Sequence, residues 1–246
     1  MKKNLLLFIC LLILPGVYSC KSLFNSDKPS KNQILVYSRT KGYRHKSIEK
    51  GIEAIKKLGL SQHFQVIATE DSSMFNDQEL KKYKAIVFLS PTGSNLFNEQ
   101  QKEALKNYIH NGGGFVGIHA ATDCNYEWEW YGKMIGGFFM SHPKIQEAKL
   151  EVLDEKFIAN KGIPKIWMHT EEWYNFKNFN PDVKVVLSVD EKSYTGGKMP
   201  DFHPISWYHQ FEGGKVFYTA LGHTDEDYTD ELFLKHISGG IKYAMK

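Results

Sequence analysis

Cysteine is scarce in this chain of 246 residues, and the three present cannot form the framework of a disulfide-stapled domain. Cys10 falls inside an N-terminal leader and Cys20 at its end, which leaves Cys124 as the single thiol of the folded part, without an intrachain partner. Nucleotide and metal signatures are missing too. There is no HExxH, no paired CxxC, no GxGxxG after a strand and no Walker loop, so a nucleotide cofactor is not expected. The glycine triplet at 112–114 precedes a strand, whereas phosphate-cradling glycines follow one. Excess charge of one sign is also lacking. The formal net charge is +3, loss of Lys2 and Lys3 with the leader brings it close to zero, and the basic residues are scattered. That excludes an electrostatic footprint for nucleic acid. No internal repeat is evident.

The first residues read as a targeting segment. Lys2 and Lys3 form a basic n-region, residues 5–14 an apolar h-region too short to span a bilayer, and Val17-Tyr18-Ser19-Cys20 resembles a bacterial lipobox. The expectation is a signal peptide at 1–19 and a lipid on Cys20. A polar tether follows at 20–32 and a single domain at 33–246. The corresponding location is the bacterial cell envelope, with the membrane as partner through the Cys20 anchor alone.

The remainder alternates strand and helix. Strands are expected at 33–38, 64–69, 85–89 and 115–119, with helices at about 48–58 and 98–111, the latter opened by a capping-box pair, Asn98 and Gln101. This is the pattern of an α/β doubly wound, mainly parallel sheet with right-handed crossovers. The second half is irregular. A short helix is expected at 128–135, a loop at 136–143, strands at 148–153 and 183–189, a polar and aromatic stretch at 168–176, a hairpin around Glu212-Gly213-Gly214, and a C-terminal helix from 229.

The phrase GGGFVGIHAATD at 112–123 is the centre of this reading. A short apolar strand ends at His119, small residues make a tight turn, and Asp123 follows. Ligands of open α/β sheets bind at the carboxyl ends of strands. His45, in the loop after the first strand, lies on the same rim, and His223 joins it if the last strand runs parallel to the others. His142 and the Glu171/Glu172 pair sit in loops able to cover that rim. Such a set can work as general acids and bases, or it can hold a divalent ion with a water in the open position; His119, His142, Glu172 and His223 are the candidate ligands. Each also has a structural alternative, as a core or surface group bonded to backbone. His63, His110 and His236 are assigned structural roles, and His203 and His209 stay between the two. Tyr131, Trp173 and Trp207 are the candidate walls of a sugar pocket, because flat rings beside polar groups suit carbohydrate.

The phrases GYRHKSI, GGGFVGIHAATD, GGFFMSHP, EEWYNF and PISWYHQFEGGKVFYTALGH, in this order, resemble the ThuA-like family, named for trehalose utilisation. The resemblance runs from about Gln33 to the C-terminus. It implies a flavodoxin-like, class I glutamine amidotransferase-like sheet, here with an irregular insertion and a C-terminal hairpin, and a disaccharide or keto-sugar substrate. Carried onto this chain, its motif residues are His45, His119, Asp123, His142, Glu172, Trp207 and His223. The amidotransferase elbow would carry a cysteine where this chain has His119, and Cys124 lies too far along to replace it, so thioester chemistry is not expected. Two functions remain open from sequence: a carbohydrate-active enzyme, hydrolase or isomerase, and a non-catalytic carbohydrate-binding lipoprotein.

Overall fold

The structure is a computed structural model and describes residues 32–246. The leader, Cys20 and nearly all of the tether lie outside the described residues. The described residues contain eleven strands: β1 (Gln33–Tyr37), β2 (Gln65–Thr69), β3 (Ala85–Leu89), β4 (Gly114–Ile118), β5 (Phe138–Ser141), β6 (Gln146–Val152), β7 (Ile166–Glu171), β8 (Asn175–Lys177), β9 (Lys184–Val189), β10 (Pro204–Phe211) and β11 (Gly214–Thr219). The helices are α1 (Ser47–Gln62), α2 (Asp77–Leu80), α3 (Glu99–His110), α4 (Glu129–Ile135) and α5 (Glu231–Ala244). Nine strands form one sheet in the order β2-β1-β3-β4-β11-β10-β9-β6-β7, and β5 pairs with β8 in a separate two-stranded sheet.

The parallel half, β2-β1-β3-β4-β11, is the expected doubly wound unit. Strands β1, β3 and β4 are buried at every position, as strands covered on both faces must be. Alternation along β3 and β11 assigns the covering helices. Phe88 stacks on Tyr131 of α4, whereas a side chain at Gly51 of α1 would collide with the next residue, Leu89. Phe217 packs beneath Gly240 of α5, and Tyr218 faces Ile135 of α4 across Gly117. Successive residues point to opposite faces, so α1 and α5 cover one face and α4 the other. Each aromatic or branched side chain withdrawn here contributes about 1.5–3 kcal/mol relative to exposure.

The hairpin of β10 and β11 turns on Glu212 and Gly213, with φ of 47° and 101°. Two left-handed residues make the turn whose twist matches that of the strands. β11 then lies parallel beside β4, which meets the condition for His223 to reach the common rim. Two loops expected from sequence are partly strand: 138–141 pairs with 175–177, and 166–171 forms the sheet edge beside β6. Their polar side chains obscured a period-two pattern in which Trp167, His169 and Glu171 alone face inward. Among the described residues no helix is long and apolar enough to cross a membrane.

Candidate functional site

The strand-to-turn junction after β4 sets the site. Ile118 is extended, whereas His119 adopts φ 49°, a left-handed conformation that a branched or bulky side chain resists. Strain of this kind is worth roughly 1–3 kcal/mol and persists only where the surroundings hold it. They do so here: the Tyr218 hydroxyl donates to the His119 carbonyl at 2.8 Å. The Ala120 and Ala121 side chains are fully buried, and a Cβ on Gly117 would stand 2.5 Å from Ile135. Only small residues fit this turn.

Three further loops bring their side chains to the same point. His45 arrives on the segment between β1 and α1, and the Ser47 hydroxyl donates to the Gly222 carbonyl at 3.2 Å, tying that segment to the one carrying His223. Glu172 follows β7 directly. His119 Nε2 lies 3.2 Å from His45 Nε2, 3.1 Å from His223 Nδ1 and 3.6 Å from Glu172 Oε2, and His223 Nδ1 lies 3.2 Å from the same Glu172 oxygen. One donor atom from each of the four falls within 4.8 Å of all the others. His142, half exposed after β5, meets the other carboxylate oxygen, with Nδ1 3.1 Å from Glu172 Oε1.

Hydrogen bonding decides the His119 tautomer. Nδ1 is 2.8 Å from the Ala220 carbonyl, which can only accept, so Nδ1 carries the proton and Nε2 presents a lone pair to the cluster. Burial pushes His119 below the usual imidazole range, and burial with the charges of His119 and His223 pushes His45 down to about 3. Burial opposes ionisation of Glu172, but the adjoining His119 and His223 imidazoles outweigh it and hold the carboxyl below the usual carboxylate range. At neutral pH the centre thus offers the neutral imidazoles of His45 and His119 and the carboxylate of Glu172. That is the state in which these side chains bind metal. Tetrahedral coordination at bond lengths near 2.05 Å spaces donors about 3.3 Å apart; four of the six separations, at 3.1–3.6 Å, bracket that value, and the other two lie within 4.8 Å. The residues present fit a divalent ion. His45 Nδ1 is buried and without a hydrogen-bond partner, so no second hydrogen bond fixes this ring's tautomer.

The sequence candidates divide cleanly. His45, His119, Glu172 and His223 converge, and His142 joins through Glu172. In the ligand set His45 takes the place expected of His142, which touches only the outer oxygen. Asp123 stands one step out, accepting from the Tyr126 hydroxyl, with its carboxyl raised by burial. The three candidate sugar walls require correction. Tyr131, Trp173 and Trp207 are fully buried and their polar atoms are spent on the Ala121, Gln146 and Ile135 carbonyls at 2.6, 2.9 and 2.8 Å, so they are core and cannot meet a substrate. Of the rings that border the centre, Tyr174 is buried against His119 at 4.4 Å, whereas Tyr43 is 64% exposed and edge-on to His45 at 4.9 Å. Its place two residues before His45 was the available signal. Tyr43, Ile145, Asp225 and Glu226 surround a cavity of about 290 Å³ that opens onto His45 and His223. A larger cavity, about 860 Å³, lies at the amino ends of β3 and β4 among Lys81, Lys82 and Lys84, away from the histidines.

His203 and His209 are settled as structural: both are buried, with Nε2 against the Tyr174 and Met134 carbonyls at 2.8 and 2.7 Å. Cys124 is buried beside the Tyr131 hydroxyl and burial pushes its thiol far up, so no nucleophilic thiolate is available.

A doubly wound sheet with polar groups gathered at its strand ends defines a flavodoxin-like, amidotransferase-like class of protein. The sequence pattern of the ThuA family, described as trehalose utilisation, matches residues 33–244, and the chain belongs to that family. A ThuA-like protein of Bacteroides uniformis is 26% identical over 89% of this chain and 94% of its own, with a TM-score of 0.72. A second, of Parabacteroides merdae, is 18% identical over 89% and 91%, also at 0.72. PurLQS of Thermotoga maritima shares the fold at 15% identity, over 86% of this chain and 98% of its own, with a TM-score of 0.54. No curated protein matches this chain.

Proposed function

We propose that this protein is a carbohydrate-modifying enzyme in which a divalent metal assists His/Glu acid–base chemistry on a disaccharide or keto-sugar derivative. One observation carries the reading: the donor atoms of His45, His119, His223 and Glu172 face one another within 4.8 Å. His119 Nε2 offers a lone pair and Glu172 an anionic oxygen; an N–H of His45 or His223 answers one pair at a time, whereas a divalent ion between the four groups answers all of them at once. The family, described as trehalose utilisation, supports a sugar as the substrate class.

When bound, a divalent ion supplies Lewis acidity toward a sugar carbonyl or a water. The side chains supply the rest. The Ala220 carbonyl keeps the His119 proton on Nδ1 and so fixes the ring's orientation. Glu172 spreads its charge between the cluster and His142, and His142, half exposed, is the group placed to exchange protons with solvent. The cavity at Tyr43 is at the small end of ligand sites and has room for one sugar ring, with the aromatic ring for its C–H face and Asp225 and Glu226 for its hydroxyls. Attachment to the cell envelope through Cys20 is part of the same proposal and rests on the lipobox-like sequence alone.

The test pairs metal analysis of the purified protein with a screen of disaccharides and their 3-keto forms. Stoichiometric divalent metal, and turnover of at least one sugar that a chelator abolishes, are expected. Sugar binding by metal-loaded protein without turnover would replace this reading with a carbohydrate-binding module. Absence of both metal and sugar affinity would remove it.

A further inference from the structure

A second group of potential ligands lies outside the acid–base centre. His169 and Glu171 are two apart on β7 and point to its inner side, and Asp227 arrives on the turn after β11. All three are buried, and one donor atom from each lies within 4.8 Å of the others.

Hydrogen bonds hold both carboxyl groups in place. Glu171 Oε1 accepts the Glu172 N–H at 2.7 Å, and Oε2 accepts those of Gly222 at 2.7 Å and His223 at 3.4 Å. Asp227 Oδ2 accepts both the backbone N–H and the hydroxyl of Thr224, at 2.7 and 2.9 Å. Both carboxyl groups keep a further lone pair beyond these bonds. Two carboxyl groups thus share one buried site, and burial with the Asp227 charge pushes Glu171 above the usual carboxylate range, so the pair holds either a proton or a cation between its oxygens. His169 Nε2 stands 2.9 Å from Asp227 Oδ1 in an ion-pair contact that is not aligned as a hydrogen bond, and the nitrogen has no hydrogen-bond partner although the residue is only 8% exposed. A buried ring nitrogen and a carboxylate oxygen in contact without an aligned hydrogen bond are placed as two ligands of one ion are placed.

We infer that His169 Nε2, Asp227 Oδ1 and Glu171 bind a second divalent cation. One imidazole with two carboxylates is a mixed nitrogen and oxygen set, suited to zinc, manganese or iron(II) rather than to magnesium or calcium. This site is separate from the His45 centre but braces it, since Glu171 also holds the backbone N–H groups of Glu172, Gly222 and His223.

The experiment is a stoichiometry. The full chain is stripped with a chelator, dialysed against zinc or manganese, and its bound metal counted by plasma mass spectrometry, alongside His169→Gln, Asp227→Asn and His45→Ala, each checked for fold by circular dichroism. Two ions per wild-type chain are expected, with one lost in either second-site variant and one in His45→Ala. Asp227→Asn, which keeps shape and removes charge, decides the matter if His169→Gln does not fold. One ion, lost in His45→Ala and kept in the second-site variants, overturns this inference and leaves the proposed function standing. One ion with the opposite dependence upholds the inference and removes metal from the proposed function. No bound ion in the wild type overturns both.

Discussion

His119 and His142 separate the tasks of the centre, because one faces the converging donors and the other only the outer oxygen of Glu172. His119→Ala is expected to lower turnover by ~100- to 10,000-fold and to lose bound metal as well. Its ring is wholly buried, so truncation also leaves a cavity, and a fall in melting temperature accompanies the loss. His142→Ala, measured in the same assays, should lower turnover by roughly tenfold or more while metal content stays at the wild-type level. Equal metal loss in both variants would show that His142 is a ligand after all. Cys124 makes the contrasting case: Cys124→Ser should leave turnover within about twofold, because a buried thiol whose ionisation is opposed by burial has no part in proton or acyl transfer. A glutaminase activity that this substitution abolished would refute the assignment of the elbow to His119.

At the scale of elements, the turn after β4 depends on a strand without bulk. Gly117→Ala places a methyl group 2.5 Å from Ile135 and 2.9 Å from Tyr218, and overpacking of this kind costs about 1–3 kcal/mol. Chemical denaturation should register that loss, with reduced metal affinity because β4 and α4 must part beneath His119. Helix α5 carries a different liability. His236 is buried between the Ala159 carbonyl and the Ser206 hydroxyl, and burial lowers its pKa to about 4 from the ordinary 6.5. Between pH 6.5 and 4 the unfolded chain takes up a proton at His236 that the folded chain refuses. Stability from this group is therefore intact above pH 6.5 and falls by about 3 kcal/mol on acidification to pH 4. In His236→Gln, melting temperatures across that window should fall less steeply than in the wild type; an unchanged slope would mean that His236 is already charged in the fold.

For the molecule as a whole, the open question is where the domain is held. We propose that the mature chain begins at an acylated Cys20, with the tether allowing the domain, whose first strand starts at Gln33, to work at a distance from the membrane. Mass spectrometry of the native protein should find cleavage after Ser19 and an acyl mass, and Cys20→Ala should release the protein from the membrane fraction with its melting temperature unchanged. An N-terminus elsewhere without acyl groups ends that proposal.

What the sequence determined by itself was local and periodic. Apolar runs of five residues bounded by turn signals identified the parallel strands, Asn98 with Gln101 marked the start of α3, and the phrase GIHAATD located the turn that carries His119. Adjacency across the sheet was decided only by tertiary structure. That β11 lies beside β4 rather than at an edge is what brings His223 to within 3.1 Å of His119, 104 positions earlier, and no periodicity reports strand order. Burial was likewise invisible for the aromatics: Trp173 and Trp207 have the composition of a sugar platform, but neighbours from distant segments seal them into the core. The second buried cluster was hidden for the same reason. His169 and Asp227 lie 58 positions apart on polar segments, and only the packing of the turn after β11 against β7 turns two ordinary residues into potential ligands of one ion.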